Sequence, residues 1–114
     1  MECINVTRDS ATIKWQAPSS DGGTPITSYI IERRESDMRV WYYCGRTDIT
    51  TTVYTCAGLY ENTEFKFRVF AENKAGRSEP LESNIPIVPK RSFGKSNHIL
   101  CLVNLIRKVS LYKL

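Results

Sequence analysis

The chain has 114 residues, of which 41% are apolar and 25% charged, and it carries a formal net charge of +4. This length suits a single domain, and the composition excludes a collagen-like or intrinsically disordered chain. Residues 1–91 contain twelve basic and twelve acidic side chains, so the whole excess lies in the last 23 residues, and the body offers no basic surplus for nucleic acid.

Short runs of alternating apolar and polar residues, separated by turn residues, follow one another along the first 91 positions. Alternation with a period of two predicts strands, and turn signals every 8–12 residues are typical of an antiparallel β-sandwich. The loop at Pro18–Gly23 and the tight turn at Asn73–Gly76 contain glycines that can take positive φ. We predict strands at Ser10–Trp15, Ile26–Arg34, Val40–Gly45, Thr51–Cys56, Glu64–Glu72 and Asn84–Val88.

Two sets of inward-facing residues are expected to meet in the core of this sandwich, with the sheets roughly 10 Å apart. The first set is Ile13, Trp15, Tyr54, Cys56 and Leu59. The second set is Tyr29, Ile31, Phe65, Phe67, Val69 and Ala71.

Several short motifs follow one another in a characteristic order and spacing between Ile4 and Pro89. They are Trp15-x-x-Pro18, Asp21-Gly22-Gly23, Ile26-x-x-Tyr29-x-Ile31-x-Arg33, Trp41, and Leu59-x-x-x-Thr63-x-Phe65-x-Phe67-Arg68-Val69-x-Ala71-x-Asn73-x-x-Gly76-x-Ser78. In this order they resemble a fibronectin type III domain. The resemblance implies an all-β, immunoglobulin-like antiparallel sandwich over residues 1–91.

The stretches WQAPSSDGGTPITSYIIERRE and FRVFAENKAGRSEP are similar to the type III domains of giant muscle proteins, the titin and twitchin group. That resemblance implies a cytoplasmic setting in the sarcomere, in the A-band, and a structural module rather than an enzyme. It also implies a fragment of a long tandem array that acts as a mechanical spacer and docking surface. The implied partners are neighbouring immunoglobulin and fibronectin modules and thick-filament proteins such as myosin.

Two features depart from the family pattern. Only Glu2–Val6 precede the strand at Ser10, so we expect a truncated first strand and part of one sheet edge left unpaired. Phe65 stands where the family places a tyrosine, whose hydroxyl bonds a backbone group upstream in the tyrosine corner of such sandwiches. Phe65 keeps the ring and loses that hydrogen bond.

Candidate catalytic and metal-binding residues are sparse. The single histidine, His98, stands in the tail, and Asp21 beside two glycines is typical of a turn rather than an acid or metal ligand. The cysteines form no CxxC pair, the spacing typical of zinc ligands. No apolar leader follows Met1, so we expect free thiols. Cys56 is expected in the core, and Cys44 on a strand whose inward side the sequence does not show. We therefore expect no catalytic, cofactor-binding or metal-binding residues.

The alternate, outward-facing residues of the strand at Glu64–Glu72 form the candidate partner surface. It presents Lys66, Arg68 and Phe70, and Arg34 is expected beside them on the neighbouring strand, where opposite charges can pair across strands. Phe70 either lies under long charged side chains, the interpretation we favour, or anchors a partner module. Trp41 is expected to cover the flank of the sandwich.

Two alternatives remain open. The module could be an extracellular adhesion or receptor type III domain, for which the sequon Asn5-Val6-Thr7 would matter. The tail, residues 92–114, could be an amphipathic basic helix at a membrane surface, although its apolar run is too short to span a bilayer. We favour a tail that is adventitious and outside the domain.

Deleting residues 95–114 is expected to leave the fold intact and to improve solubility, because no core position is assigned to them. Thermal unfolding of the truncated and full chains, followed by circular dichroism, checks this. Loss of the cooperative transition in the truncated chain would show that the tail is structural.

Overall fold

The computed structural model describes residues 1–19, 22–83 and 86–91. Within these ranges no helix is long and apolar enough to cross a membrane. The predictions that fall outside them concern Asp21, the start of the last predicted strand and the tail 92–114, with its His98.

The described residues form eight strands in two antiparallel sheets. They are β1 (Glu2–Val6), β2 (Ala11–Lys14), β3 (Ser28–Glu35), β4 (Tyr42–Asp48), β5 (Val53–Cys56), β6 (Phe65–Asn73), β7 (Gly76–Arg77) and β8 (Leu81–Glu82). One sheet has the order β1-β2-β5. The other has the order β4-β3-β6-β7, with β8 also pairing with β6. The predicted antiparallel β-sandwich is confirmed.

The hairpin between β6 and β7 shows how local chemistry sets a turn. The Asn73 Oδ1 accepts hydrogen bonds from the backbone N–H groups of Ala75 at 2.8 Å and Gly76 at 3.1 Å. Gly76 has a φ of 139°, a conformation that favours glycine. This Asn–Gly turn allows β7 to pair back onto the end of β6.

The core lies between the two sheets, where their inward faces meet. Trp15, which directly follows β2, and Tyr29 of β3 form an edge-to-face contact across the sheets, with ring centroids 5.5 Å apart. Of the eleven residues predicted for the core, nine are each at most 4% exposed and lie in one cluster: Ile13, Trp15, Tyr29, Ile31, Cys56, Leu59, Phe65, Phe67 and Val69. The other two, Tyr54 and Ala71, are only partly buried and pack against this cluster. Burial also raises the pKa of Tyr29.

The short first strand, β1, pairs with the whole length of β2. β1 pairs with β2 from Glu2 opposite Lys14 to Val6 opposite Ala11, with an irregular register between Cys3 and Asn5. Because β5 pairs with the other edge of β2 along the same four residues, β2 has no unpaired stretch. The expectation of an unpaired stretch beside a truncated strand is therefore not met at β2.

The end of the domain differs from the predicted strand at Asn84–Val88. In the part of that segment that the structure describes, only Ile87 pairs, through a single bridge to Phe65, and β8 lies further upstream. Pro86 and Pro89 flank Ile87 and have no backbone N–H to donate, so a longer ladder cannot form there.

Phe65 lies at the start of β6, where its ring stacks on Tyr60 at 6.4 Å and is 2% exposed. We expect Phe65→Tyr to stabilise the domain by about 1 kcal/mol, because the hydroxyl restores the corner hydrogen bond. Chemical denaturation measures the change. Phe67→Tyr is the matched control: Phe67 is fully buried in the same strand, and its added hydroxyl should destabilise the domain. A melting temperature of Phe65→Tyr at or below that of the parent chain contradicts this account.

Candidate functional site: the arginine–aromatic face

The outer face of the five-stranded sheet carries a second apolar patch, separate from the main core. Ile30 of β3 and Phe70 of β6 lie opposite each other in the register, pointing away from the other sheet. Ile30 is fully buried and Phe70 is 9% exposed, yet neither belongs to the main core cluster. Side chains on the outer face must therefore cover them.

Arginine side chains provide that cover by stacking on aromatic rings. The Arg68 guanidinium lies 4.2 Å from the ring centroid of Trp41 and 4.9 Å from that of Phe70. Arg77 lies over the same Phe70 ring at 5.1 Å. The order Trp41, Arg68, Phe70, Arg77 forms what we term the arginine–aromatic stack, which connects the start of β4 with β6 and β7.

Glu32 holds the centre of the stack in place. One of its carboxylate oxygens accepts a hydrogen bond from Nε of Arg68 at 2.8 Å and lies 2.7 Å from Nη2 of the same guanidinium in an ion pair. Its other oxygen lies 3.9 Å from Nη1 of Arg77. The Glu32 side chain is only 14% exposed, so this charge pair is better shielded from water than an ordinary surface salt bridge. The predicted pairing of opposite charges between these two strands is confirmed.

A second carboxylate, that of Glu72, lies at the other end of this face. Arg46 of β4 donates a hydrogen bond to Glu72 at 2.5 Å, and Arg77 lies 3.9 Å from the other oxygen of Glu72. The Arg46 hydrogen bond, aided by the charge of Arg77, lowers the pKa of Glu72. A lowered pKa favours the charged form in the folded state, so this contribution to stability is lost as the pH falls through the pKa of Glu72.

The four residues predicted as a partner surface have different surroundings. Arg34 uses its Nη1 to donate to the backbone carbonyls of Ser36 at 3.0 Å and Met38 at 2.9 Å, and its guanidinium lies over the Trp41 ring at 5.1 Å. Arg68 and Phe70 belong to the stack, so Phe70 lies under long charged side chains, the interpretation favoured above. Lys66 is half-buried and makes no ion pair with any described residue.

A pair of thiols is a feature that sequence reasoning missed. Cys44 of β4 and Cys56 of β5 come from different sheets, and a hydrogen bond joins their sulfur atoms at 3.0 Å. Both are free thiols. Cys3 is disulfide-bonded, so the prediction of free thiols is wrong for Cys3. The sequence did not show whether the Cys44 side chain points into the core, because alternation of apolar and polar residues does not reveal an irregularity in strand pairing.

The candidate chemistry of the described residues is therefore electrostatic and thiol-based. No group of three or more histidine, cysteine, aspartate or glutamate side chains is arranged to hold a metal ion in the ranges that the structure describes. The arginine–aromatic face can present cations to an acidic partner, while its apolar patch stays covered.

The two packed antiparallel sheets define a β-sandwich module of the immunoglobulin-like class. The family model of the fibronectin type III domain matches residues 1–85. The chain therefore belongs to the fibronectin type III family.

Its relatives include long muscle proteins. A titin homolog of Caenorhabditis elegans is 37% identical over 78 residues, which cover 68% of this chain and, rounded, 0% of that protein. The fast-type myosin-binding protein C of Gallus gallus is 31% identical over 96 residues, covering 84% of this chain and 8% of that protein. The solved twitchin kinase region of C. elegans aligns with a TM-score of 0.74 at 32% identity, covering 82% of this chain and 16% of that one. The chain thus spans less than a tenth of these curated relatives.

Trp41→Ala should lower the free energy of unfolding by about 2 kcal/mol, because it removes the ring that lies beneath two guanidinium groups. Urea denaturation followed by circular dichroism measures the loss without relying on tryptophan fluorescence. Tyr42→Ala is the matched control: Tyr42 is the next residue and 60% exposed, so its loss should cost no more than about 0.5 kcal/mol. Equal losses in the two variants would contradict a stabilising role for the stack.

Proposed function

We propose that the chain is a structural and protein–protein interaction module of a multidomain sarcomere protein, acting as a mechanical spacer and as a docking surface. Its relatives support the setting, since the chain matches single modules within titin and myosin-binding protein C. On this proposal it has no enzymatic activity, and it resides in the cytoplasm within the A-band of the myofibril.

The observation that carries the docking role is the arginine–aromatic face. Stacking and the Glu32 ion pairs hold the arginines in fixed positions, so a partner would meet preordered cations and lose little side-chain entropy on binding. Arg46 and Arg77 have side chains that are 48% and 46% exposed at the rim of this face. A surface with Lys66 and these arginines is complementary to acidic side chains.

The spacer role is supported by how the sheets are joined. The main core contains inward-facing residues of both sheets in one cluster, so the two layers have no separate hydrophobic cores. The stack adds a second set of contacts between strands on the outer face. A module built in this way should resist bending and keep a constant length within a tandem array. Neighbouring immunoglobulin and fibronectin modules, and thick-filament proteins such as myosin, are the partners we propose.

One observation favours a second candidate function, an extracellular adhesion or receptor module. Cys3 is disulfide-bonded, and disulfides persist in oxidising compartments. Against this, the sequon residue Asn5 is half-buried within strand β1, whereas glycosylated sequons are typical of surface loops. A glycan found on Asn5 of the natural protein would favour the extracellular module.

Lys66→Glu tests the docking role because it reverses a charge on the face without breaking an ion pair among the described residues. We expect it to weaken co-sedimentation of the chain with purified myosin filaments roughly tenfold, or about 1.4 kcal/mol. Arg8→Glu is the control: it makes the same charge change at an exposed position between β1 and β2, in the other sheet.

Binding of the two variants and of the parent chain distinguishes the possible results. If Lys66→Glu binds as well as Arg8→Glu does, the face is not the docking surface. If the parent chain itself does not bind, myosin is not the partner. Thermal unfolding of both variants shows that any loss of binding is not a loss of fold.

A further inference from the structure

The pair Cys44 and Cys56 lies where the edge of one sheet crosses the end of a strand in the other. β4 is the edge strand of the five-stranded sheet, and Cys56 is the last residue of β5 in the three-stranded sheet. The sulfur atoms are 3.0 Å apart, so an approach of about 1 Å would bring them to the length of a disulfide bond.

An irregularity in β4 aims Cys44 at its partner. Gly45 pairs with Ile31 and Tyr43 pairs with Glu32, so Cys44 is an extra residue with no partner in the register of β3. A bulge of this kind re-aims a side chain, and here the Cys44 thiol reaches the space between the sheets.

Tyr54 of β5 holds this bulge from the opposite sheet. Its hydroxyl donates a hydrogen bond to the backbone carbonyl of Cys44 at 3.0 Å. Its ring occupies the space beside Gly45, where any Cβ atom would collide with it. Both Tyr54 and Cys56 therefore reach Cys44 from the same strand, and the positions of the two sulfurs are set by backbone and ring contacts rather than by a mobile loop.

Arg33 places a positive charge beside the pair. Its Nη1 donates to the sulfur of Cys56 at 3.3 Å and to the carbonyl of Ala57 at 3.4 Å. Arg33 takes part in none of the ion pairs found among the described residues, so its charge faces sulfur rather than a carboxylate. The hydrogen bond between the two sulfur atoms, together with the Arg33 guanidinium, lowers the pKa of Cys56 to about 6, and the same hydrogen bond raises the pKa of Cys44. A lowered pKa favours the thiolate form of Cys56, which is the form that reacts with oxidants.

We propose that Cys44 and Cys56 form a reversible oxidation site at which hydrogen peroxide converts the two thiols into a disulfide that links the two sheets. The thiolate of Cys56 attacks one peroxide oxygen, the O–O bond breaks, and hydroxide leaves to give a sulfenic acid. The sulfur of Cys44 then attacks the sulfenic sulfur, the S–S bond forms, and the sulfenic oxygen leaves as water with the Cys44 proton. Hydroxide takes up a proton from solvent. In total two thiols lose two electrons and two protons, and one peroxide becomes two waters.

Burial shapes how this site would react. Cys56 is 2% exposed, whereas Cys44 is half-buried at the sheet edge, so small uncharged peroxide can enter where a bulky oxidant cannot. The product would tie β4, which contributes Arg46 to the rim of the arginine–aromatic face, to the opposite sheet. Oxidation would therefore stiffen the edge of the module beside its candidate docking surface.

Peptide mapping of the full chain tests the proposal. The reduced protein is treated with hydrogen peroxide, remaining thiols are alkylated, and the sample is digested with trypsin without reduction. Cleavage after Arg39, Arg46 and Lys66 places the two cysteines in separate peptides, Val40–Arg46 and Thr47–Lys66. We expect these two peptides joined, separated again by dithiothreitol, and a rise in melting temperature on the order of 10 °C for the oxidised chain.

Two variants make the outcome specific. Cys44→Ser removes the second sulfur, so the peptides should stay separate, the melting temperature should not rise, and Cys56 should accumulate as a sulfenic acid that dimedone traps when it is added together with denaturant. Cys101→Ser is the matched control, which keeps both proposed sulfurs and should form the crosslink as the parent does. Arg33→Gln should slow crosslinking severalfold while leaving its position unchanged.

The proposal is overturned if both cysteines of the parent chain remain open to alkylation at peroxide levels that oxidise free glutathione fully. It is also overturned if either of them pairs mainly with Cys3 or Cys101. Crosslinking of the parent that persists unchanged in Arg33→Gln would remove the role of Arg33 and leave the disulfide site standing.

Discussion

The packing of one sheet on the other around Trp15 and Tyr29 is the constraint on which the rest of this module depends. Their rings meet edge to face across the sandwich, and the inward residues of β2, β5, β3 and β6 surround them in one cluster. Burial of this apolar surface is the main favourable term in folding. It fixes which face of each strand is dry, and therefore which side chains reach the outer face.

That outer face shows how a charged surface can be both ordered and partly buried. The stack alternates aromatic rings with guanidinium groups in the order Trp41, Arg68, Phe70 and Arg77. Glu32 neutralises part of the positive charge at its centre. The rings shield the ion pair from water, and the ion pair orients the guanidinium groups on the rings. A partner would meet a prearranged surface, unlike the separate, solvated arginines of an ordinary sheet.

Strand β4 brings the two candidate sites together. Trp41 stands at its start, under two arginines, and Cys44 forms its bulge, beside Cys56 of the other sheet. An edge strand has one free side and so tolerates an extra residue that a central strand would not. The same freedom at the edge allows β4 to contribute to the outer face and to the space between the sheets.

The sequence by itself determined the fold, the strands β2, β3 and β6, and nine of the eleven predicted core positions, because period-two alternation and the family motifs depend only on neighbouring residues. It also predicted that opposite charges pair across these two strands, since adjacent strands place outward residues opposite each other, and the structure shows the pair to be Glu32 with Arg68. Only the tertiary structure decided that Arg34 serves a turn and that Phe70 is covered by Arg68 and Arg77. It alone showed that Cys44 faces Cys56. These contacts depend on a bulge, on side-chain hydrogen bonds to the backbone of a turn and on the stacking of guanidinium groups on rings, and strand periodicity carries no information about any of the three.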